Sequence, residues 1–258
     1  MRKCTEQDRS ALNRYLDVNP ALNLFFIGDI ENNGFDSDFQ QVYAEEDGQG
    51  FHAVYLVYRR NLCVMSNENH VRQDLVDQLI RSCRIQAVNG SRELMEQLSL
   101  PDFTRRDDCL FARMAVPNEM VDTGLVERLL PQDAEEIVKI EEEAFHMPGS
   151  ADAIRRSMKD GSGRVYGIRE GGAIAAVAES TAECRNLAMV VGICTRPQHR
   201  QKGYASACIT RLSNDLLKEG KTPCLFYDNP AAARIYKALG YQDIGTWSMA
   251  RRAVAQND

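Results

Sequence analysis

The chain has 258 residues, 44% of them hydrophobic and 26% charged, with 8 prolines and a formal net charge of -6. That length suits two modest domains, each burying its own core, and the composition excludes disordered and fibrous classes. Residues 1–124 carry 13 Lys/Arg against 20 Asp/Glu and the remainder 18 against 17; an acidic first half without a basic block repels a phosphate backbone, so nucleic acid is not an expected partner.

No window approaches 18 apolar residues, and the opening MRKCTEQDRSALNRYL has no apolar run of signal-peptide length. A soluble, cytoplasmic protein without a membrane partner is therefore expected. The eight cysteines are dispersed with no Cys-x-x-Cys pair, and most fall in apolar runs, which fits buried free thiols in a reducing compartment.

In chain order, the first half reads as a helix near Gln7 to Leu16, then FFIGDIENNGFDSD from Phe25 to Asp38. This segment is rich in Asp and Asn but lacks calcium-loop spacing, and it is expected to be a loop facing the acceptor site. Strands follow near Gln41 to Ala44, Phe51 to Tyr58 and Leu62 to Ser66, then a helix from Arg72 to Ser82. A strand IQAVNG, a short helix Arg92 to Leu98 and a strand DCLFARMAV complete this half. VPNEMVDTG, residues 116–124, is polar, contains a Pro and a Gly, and reads as a linker between domains at 1–115 and 125–258.

The second half opens with a strand from Leu125 to Leu130. Asp133 with Glu136 three residues later has the spacing of a capping box, and Ile137, Ile140 and Ala144 recur behind it at helical spacing. A helix from Ala151 to Met158 precedes the strands VYGIR and AIAAVAES, split by the turn Gly171-Gly172. Asn186 to Thr195 is a nearly continuous apolar run, which suggests a strand buried on both faces. Ala205, Cys208, Ile209, Leu212 and Leu216 mark one face of a helix ended by Gly220. CLFYD is a strand, Pro230 to Leu239 a helix capped by Asn229, and Tyr241 to Ala250 a closing strand of the second domain. The order of elements roughly repeats that of the first half.

Arg200-Gln201-Lys202-Gly203-Tyr204-Ala205 lies between the buried strand and the amphipathic helix. The first N–H groups of a helix have no intrahelical carbonyl, and small residues allow close approach, so this is an anion site. Two cations and the helix dipole favour a pyrophosphate there, the dipole by about 0.3 to 2 kcal/mol. Read alone, the segment is equally an ordinary turn with solvated Arg and Lys.

Thr195-x-Pro197-x-x-Arg200-x-x-Gly203-x-Ala205 resembles the acyl-CoA motif of the GNAT acetyltransferase superfamily. Asn229-x-x-Ala232-x-x-x-Tyr236-x-x-x-Gly240-Tyr241 resembles its second motif at the expected spacing. The paired likeness covers the second half, and GKTPCLFYDNPAAARIYKALGY looks like the branch with glycine N-acyltransferases. The resemblance implies an α/β fold with a mixed sheet, the GNAT acyltransferase fold, and an N-terminal domain that is a degenerate copy of it. The first half has no Arg-x-x-Gly-x-Ala segment, so coenzyme A is expected only in the second.

The same resemblance implies acetyl-CoA or another acyl-CoA as cosubstrate and a small-molecule amine as acceptor. Backbone groups of Ile193, Cys194 and Thr195 would meet the pantetheine arm, with amides near Ile193 polarising the thioester carbonyl. Amides from Gln201 to Ala205 would hold the pyrophosphate, and Asn229 would touch the pantetheine. Tyr236 would stand beside the sulfur as general acid; as a core aromatic it would instead share a face with Ala232 and Leu239. An alkyl amine is mostly protonated at neutral pH, so a base is expected too. Glu179 is the preferred residue and Glu183 the other candidate. His199 is expected to pack rather than react. The four histidines show no metal spacing, so no metal is expected. A non-catalytic acyl-CoA sensor is the alternative reading. An enzyme using aminoacyl-tRNA is opposed by the acidic first half, and homodimerisation stays open.

Overall fold

The computed structural model describes residues 1–252. The chain forms two compact units, Met1–Phe111 joined by the C-terminal strand from Ile244, and Ala112–Asp243.

The first unit contains β1 (Arg2–Lys3), α1 (Arg9–Leu16), α2 (Leu24–Asn33), β2 (Gln40–Asp47), β3 (Gly50–Tyr58), β4 (Asn61–Met65), α3 (Gln73–Ser82), β5 (Ala87–Ser91), α4 (Arg92–Gln97) and most of β6 (Arg105–Arg113). β2, β3 and β4 form an antiparallel meander, and α3 is the crossover that sets β5 parallel to β4. Leu75, Val76, Leu79 and Ile80 bury one face of α3 against Tyr55, Leu62 and Val88, the burial expected of i, i+1, i+4, i+5 spacing. The segment expected to be a loop, Phe25 to Asp38, is helical as far as Asn33. Leu24, Phe26, Ile27 and Ile30 are all buried, and that apolar burial overrides the weak helix propensity of the Asp, Asn and Gly residues among them. Gly34, at φ +74, ends the helix.

The second unit contains β7 (Glu127–Arg128), α5 (Ala134–Phe145), α6 (Ala151–Asp160), β8 (Val165–Glu170), β9 (Ala173–Thr181), β10 (Leu187–Thr195), α7 (Tyr204–Lys218), β11 (Thr222–Tyr227) and α8 (Pro230–Leu239). Its strands lie in the order β7-β8-β9-β10-β11, antiparallel except for the parallel pair β10 and β11. Side chains of β9 divide between two covered faces, with a register irregularity against β8 between Ile174 and Ala176. Ala176 and Ala178 meet Cys208, Ile209 and Leu212 of α7, while Ile174 and Val177 meet Ile137 and Ile140 of α5. This is the mixed α/β architecture expected from the sequence, with helices on both faces of the sheet.

Two local expectations change. Asp133 accepts from the Leu130 N–H and Glu136 from the Ile174 N–H, so the pair does not form a capping box at α5; Arg169 and the adjacent strand supply stronger partners for both carboxylates. The final strand, β12 (Gln242–Arg251), pairs antiparallel with β5 of the first unit, Trp247 opposite Ser91 and Arg251 opposite Ala87, rather than closing the second.

The parallel pair is locked at the end where both of its strands begin. Arg164 donates to the carboxylates of Glu183 (2.6 Å) and Glu219 (2.5 Å), and Lys221 donates to Glu183 (2.6 Å). Glu183 precedes β10, Lys221 precedes β11, and Glu219 caps α7. Burial alone would raise the Glu183 carboxyl, but hydrogen bonds from Arg164, Lys221 and Ser180 outweigh it and hold the group below the usual range. A group lowered in this way contributes stability above the ordinary carboxylate range and loses it as pH falls through the lowered value. Glu183→Ala leaves buried Arg164 with Glu219 as its remaining carboxylate and takes the closer carboxylate from Lys221, so denaturant unfolding at neutral pH is expected to show a loss of about 3 kcal/mol, the lower end for a broken buried pair. The difference from the parent should shrink on acidification; equal loss at all pH values would show that the ion pair is not its source.

Candidate functional site

β10 and β11 pair from Leu187 opposite Thr222 to Met189 opposite Cys224. Both strands continue, to Thr195 and Tyr227, so they part at their C-terminal ends. The register between β10 and β9 also shifts between Val191 and Cys194, a bulge that turns the strand and increases its twist. Gly192 sits in that bulge at φ +61, a conformation costly for any residue with a Cβ. The parting opens a cavity of about 540 Å³ within the second unit.

Ile193, Cys194 and Thr195 form one wall of this cavity, and Asn229 and Tyr236 the other. Arg200, Gln201, Gly203, Tyr204 and Ala205 lie at the end where α7 begins. Gly203 is the N-cap of α7 at φ +78 and offers no side-chain cap, so the first N–H groups of a 15-residue helix open onto the cavity. Gln201 is also left-handed, at φ 65, which a non-glycine residue adopts at some cost.

Two of the residues expected in the site stand off its wall. Lys202 donates to Glu170 at 2.8 and 3.0 Å. Tyr204 Oη donates to the same carboxylate at 2.9 Å, and His199 Nδ1 lies 3.0 Å from it. Glu170 is held below its ordinary range, first by Lys202 and then by Tyr204. His199 itself lines the cavity. Glu179 is the other: it lies on β9 opposite Val191, 9% exposed, behind the bulge. Its side chain lies beside that of Glu141 on α5 above Gly192, and burial, followed by the Glu141 charge, pushes its carboxyl well above the usual range. Glu183, the other candidate base, is engaged in the ion-pair network described above.

Tyr236 is both a cavity residue and a core residue. It is 8% exposed, with ring centroids 5.5 Å from Tyr227 and 6.1 Å from Tyr241. Burial raises its hydroxyl above the ordinary value, so the phenol is protonated at neutral pH. Asn229 accepts from the Ala231 N–H at 2.8 Å and so caps α8 behind Pro230, as its place in the sequence predicts. Burial also pushes the Cys194 thiol up to about 12, which makes it a packing group.

Residues 154–250 match the model of the GNAT acetyltransferase family. The fold is that of GNAT acetyltransferases. It is similar to a GCN5-related N-acetyltransferase from Sphaerobacter thermophilus at 15% identity over 97% of this chain and 94% of that one, TM-score 0.65. It is also similar to a GCN5-related N-acetyltransferase from Kribbella flavida, 15% identical over 92% and 97% of the two chains, TM-score 0.64. A third is a GCN5-related N-acetyltransferase-like protein from Streptococcus suis, 14% identical over 96% and 100%, TM-score 0.61. No curated protein matches in sequence. Among the described residues no helix is long and apolar enough to cross a membrane, and no three His, Cys, Asp or Glu side chains converge as a metal site.

Sequence reasoning missed Glu141 and Glu170. Glu141 is one of three consecutive glutamates near the end of α5, and Glu170 is an acidic strand end before a Gly-Gly turn; neither pattern differs from that of a solvated carboxylate. Glu170 holds Lys202 and Tyr204, so Glu170→Gln is expected to tighten acetyl-CoA binding several-fold in calorimetry at low salt, with the gain shrinking as salt rises. Unchanged or weaker binding would mean that Lys202 does not turn toward the ligand.

Proposed function

We propose that the chain is an acyl-CoA dependent N-acyltransferase, with acetyl-CoA as donor and a primary amine of a small molecule or amino acid as acceptor. The observation that carries it is the cavity between parted parallel strands, with uncapped helical amides at one end and a buried tyrosine hydroxyl on the wall. The open amides of the turn from Gln201 to Ala205, with Arg200 beside them, suit a pyrophosphate. The backbone of Ile193 to Thr195, no longer paired with β11, suits the amides of a pantetheine arm, and Asn229 faces it from the opposite wall.

The donor supplies a thioester whose carbonyl an amine can attack. Backbone N–H groups at the bulge, near Ile193, are placed to stabilise the charge that develops on the carbonyl oxygen. Tyr236, kept protonated by burial, gives its proton to the departing thiolate as the C–S bond breaks, and the phenolate recovers one from the new amide nitrogen. Glu179 removes the first proton, the one that an ammonium must lose before its nitrogen can attack.

The wording from Gly220 to Tyr241 supports an acceptor of the glycine N-acyltransferase type, and the surplus of acidic residues in 1–124 supports a small molecule over a nucleic acid. A non-catalytic acyl-CoA sensor would require neither a tyrosine hydroxyl on the cavity wall nor a buried carboxyl behind the bulge. Tyr236→Phe preserves the ring packing and removes the proton. In a thiol-release assay its kcat is expected to fall by about 10²- to 10⁴-fold, with the acetyl-CoA Kd unchanged in calorimetry. Equal turnover would remove Tyr236 from the role, and acetyl-CoA bound without thiol release to any amine of a broad panel would favour the sensor.

A further inference from the structure

We propose that Glu141 and Glu179 act as one proton-sharing carboxyl pair, and that this pair, rather than Glu179 alone, is the base for the acceptor amine. The proposal rests on the acyl-transfer reading above. Glu179 comes from β9 and Glu141 from α5, and they meet over the bulge of β10. A Cβ on Gly192 would stand 2.6 Å from Glu141 Oε1 and 2.7 Å from Glu179 Cγ. The glycine is therefore needed twice, once for its φ of +61 and once for the space the pair occupies.

Two desolvated carboxyl groups crowding the same point above Gly192 repel each other when both are ionised, so the pair holds one proton at neutral pH. Glu179 Oε1, by contrast, is buried with no hydrogen-bond partner among the described residues. An oriented, desolvated acceptor of this kind costs stability unless a donor arrives. The pair adjoins the cavity on two sides: Ile193 follows Gly192, and Ala144 and Phe145 lie one helical turn beyond Glu141, and all three line it.

The surrounding elements bring charged and titratable groups that are engaged elsewhere. After β10, Arg196 donates to Glu143 and to the Ile174 carbonyl. From α6, Arg155 is paired with Glu135 and Asp152. From β8, Arg169 is held by Glu127 and Asp133, and Tyr166 donates to Asp215. Glu142 on α5 accepts from the Gly149 N–H. Cys194 on β10 and Cys208 on α7 are buried thiols, each pushed up to about 12. The pair therefore keeps its own proton instead of being neutralised by a cation. Burial raises Glu141, and burial with the neighbouring charge raises Glu179 well above the usual range, so the second proton leaves late and the titration belongs to the pair.

In the step itself an acceptor R–NH3⁺ in the cavity loses one N–H proton, relayed by a water molecule, to the dianionic pair behind the wall. The electron pair stays on nitrogen and forms the bond to the carbonyl carbon. The pair, again holding one shared proton, returns to its dianionic state by releasing that proton to solvent.

The test is the pH profile of kcat/KM at saturating acetyl-CoA. Glu141→Gln removes the like charge, so the remaining Glu179 ionises at lower pH: the acid limb should move to lower pH, while the plateau kcat falls about tenfold or more because the base is weaker. KM for acetyl-CoA should be unchanged. A raised KM or lowered stability with an unmoved acid limb would overturn the proposal, because that is what a merely structural Glu141 would give. A readout independent of turnover is the infrared band of a protonated carboxyl in the unliganded protein. Above the contribution of Asp29, whose buried carboxyl is pushed up to about 7, it should persist at neutral pH, disappear along the acid limb, and be lost at neutral pH from both Glu141→Gln and Glu179→Gln. Its absence from the parent protein would overturn the pair even if acetyl transfer is observed, and this arm needs no variant that folds. The band in a protein that acetylates no amine would establish the shared proton and remove its role as base together with the acyl-transfer reading.

Discussion

The separation of β10 from β11 after Met189 is the constraint from which the rest of the site follows. Parallel strands that stop pairing leave backbone N–H and C=O groups without a ladder, and such groups need another partner. The bulge between Val191 and Cys194 fixes where the separation occurs. Because Gly192 alone can occupy the left-handed position there, one residue decides the direction of β10, the place of Ile193 on the cavity wall and the room for two carboxyl side chains. At the opposite end the same two strands are held together by Arg164, Glu183, Glu219 and Lys221, and by the Thr222 N–H donating to the Asn186 carbonyl at 2.9 Å. A buried, fully hydrogen-bonded ion network is weak evidence of net stability but strong evidence of fixed geometry. One end of the parallel pair is clamped, and the other is therefore free to stay open without the strands sliding.

Electrostatics divides the cavity in the same direction. At the α7 end, free amides and the helix dipole favour an anion, and the carboxylate of Glu170 there is half-exposed and satisfied by Lys202 and Tyr204. Exposed pairs of this type are weak and screened, so Glu170 can be displaced by a stronger anion. Beyond the bulge the environment is reversed: Glu141 and Glu179 are desolvated and share a proton, which favours a cation. On the proposed acyl-transfer reading, an anionic donor would enter at one end and a cationic amine at the other, and the two would meet near Tyr236.

The legible parts of the sequence were those that depend on local chemistry. Asn229 and Pro230 open α8 because a side-chain acceptor and a missing N–H suit a helix start, and both are found so. The turn before α7 was readable because Gly203 and Ala205 stand between an apolar strand and an apolar helical face. What was not legible depends on distant residues. Nothing near Phe25 announces that Leu24, Phe26, Ile27 and Ile30 are buried along a helix. The Asp133 and Glu136 spacing suggested a local cap, but Arg169 and the Ile174 N–H, more than thirty residues away, claim both side chains. Glu141 could not be chosen among three adjacent glutamates, because only the crossing of α5 over the bulge distinguishes it.

The first unit shows what happens to the same order of elements when the cradle is missing. β4 and β5 are also parallel, joined through α3, and their pairing also ends early, at Cys63 opposite Asn89. Yet the connection from Ser66 to Arg72 contains no glycine, and its residues are tied down instead: Asn67 bonds to Tyr15 through both its backbone N–H and its side chain, and Ser66 Oγ donates to the His52 carbonyl. The gap between the strand ends is reduced to about 220 Å³, with Leu22 and Trp247 on its wall. Trp247 is 7% exposed and packs against Phe25 and Phe111 at 5.8 and 6.4 Å. Parting two parallel strands therefore does not by itself make a phosphate site. Asn69 in the connection from Ser66 to Arg72 is left-handed as well, at φ 55, so the difference lies in the amides: the turn before α7 leaves them open, whereas the turn after β4 is tied to Tyr15 and His52 and its gap is narrowed by side chains.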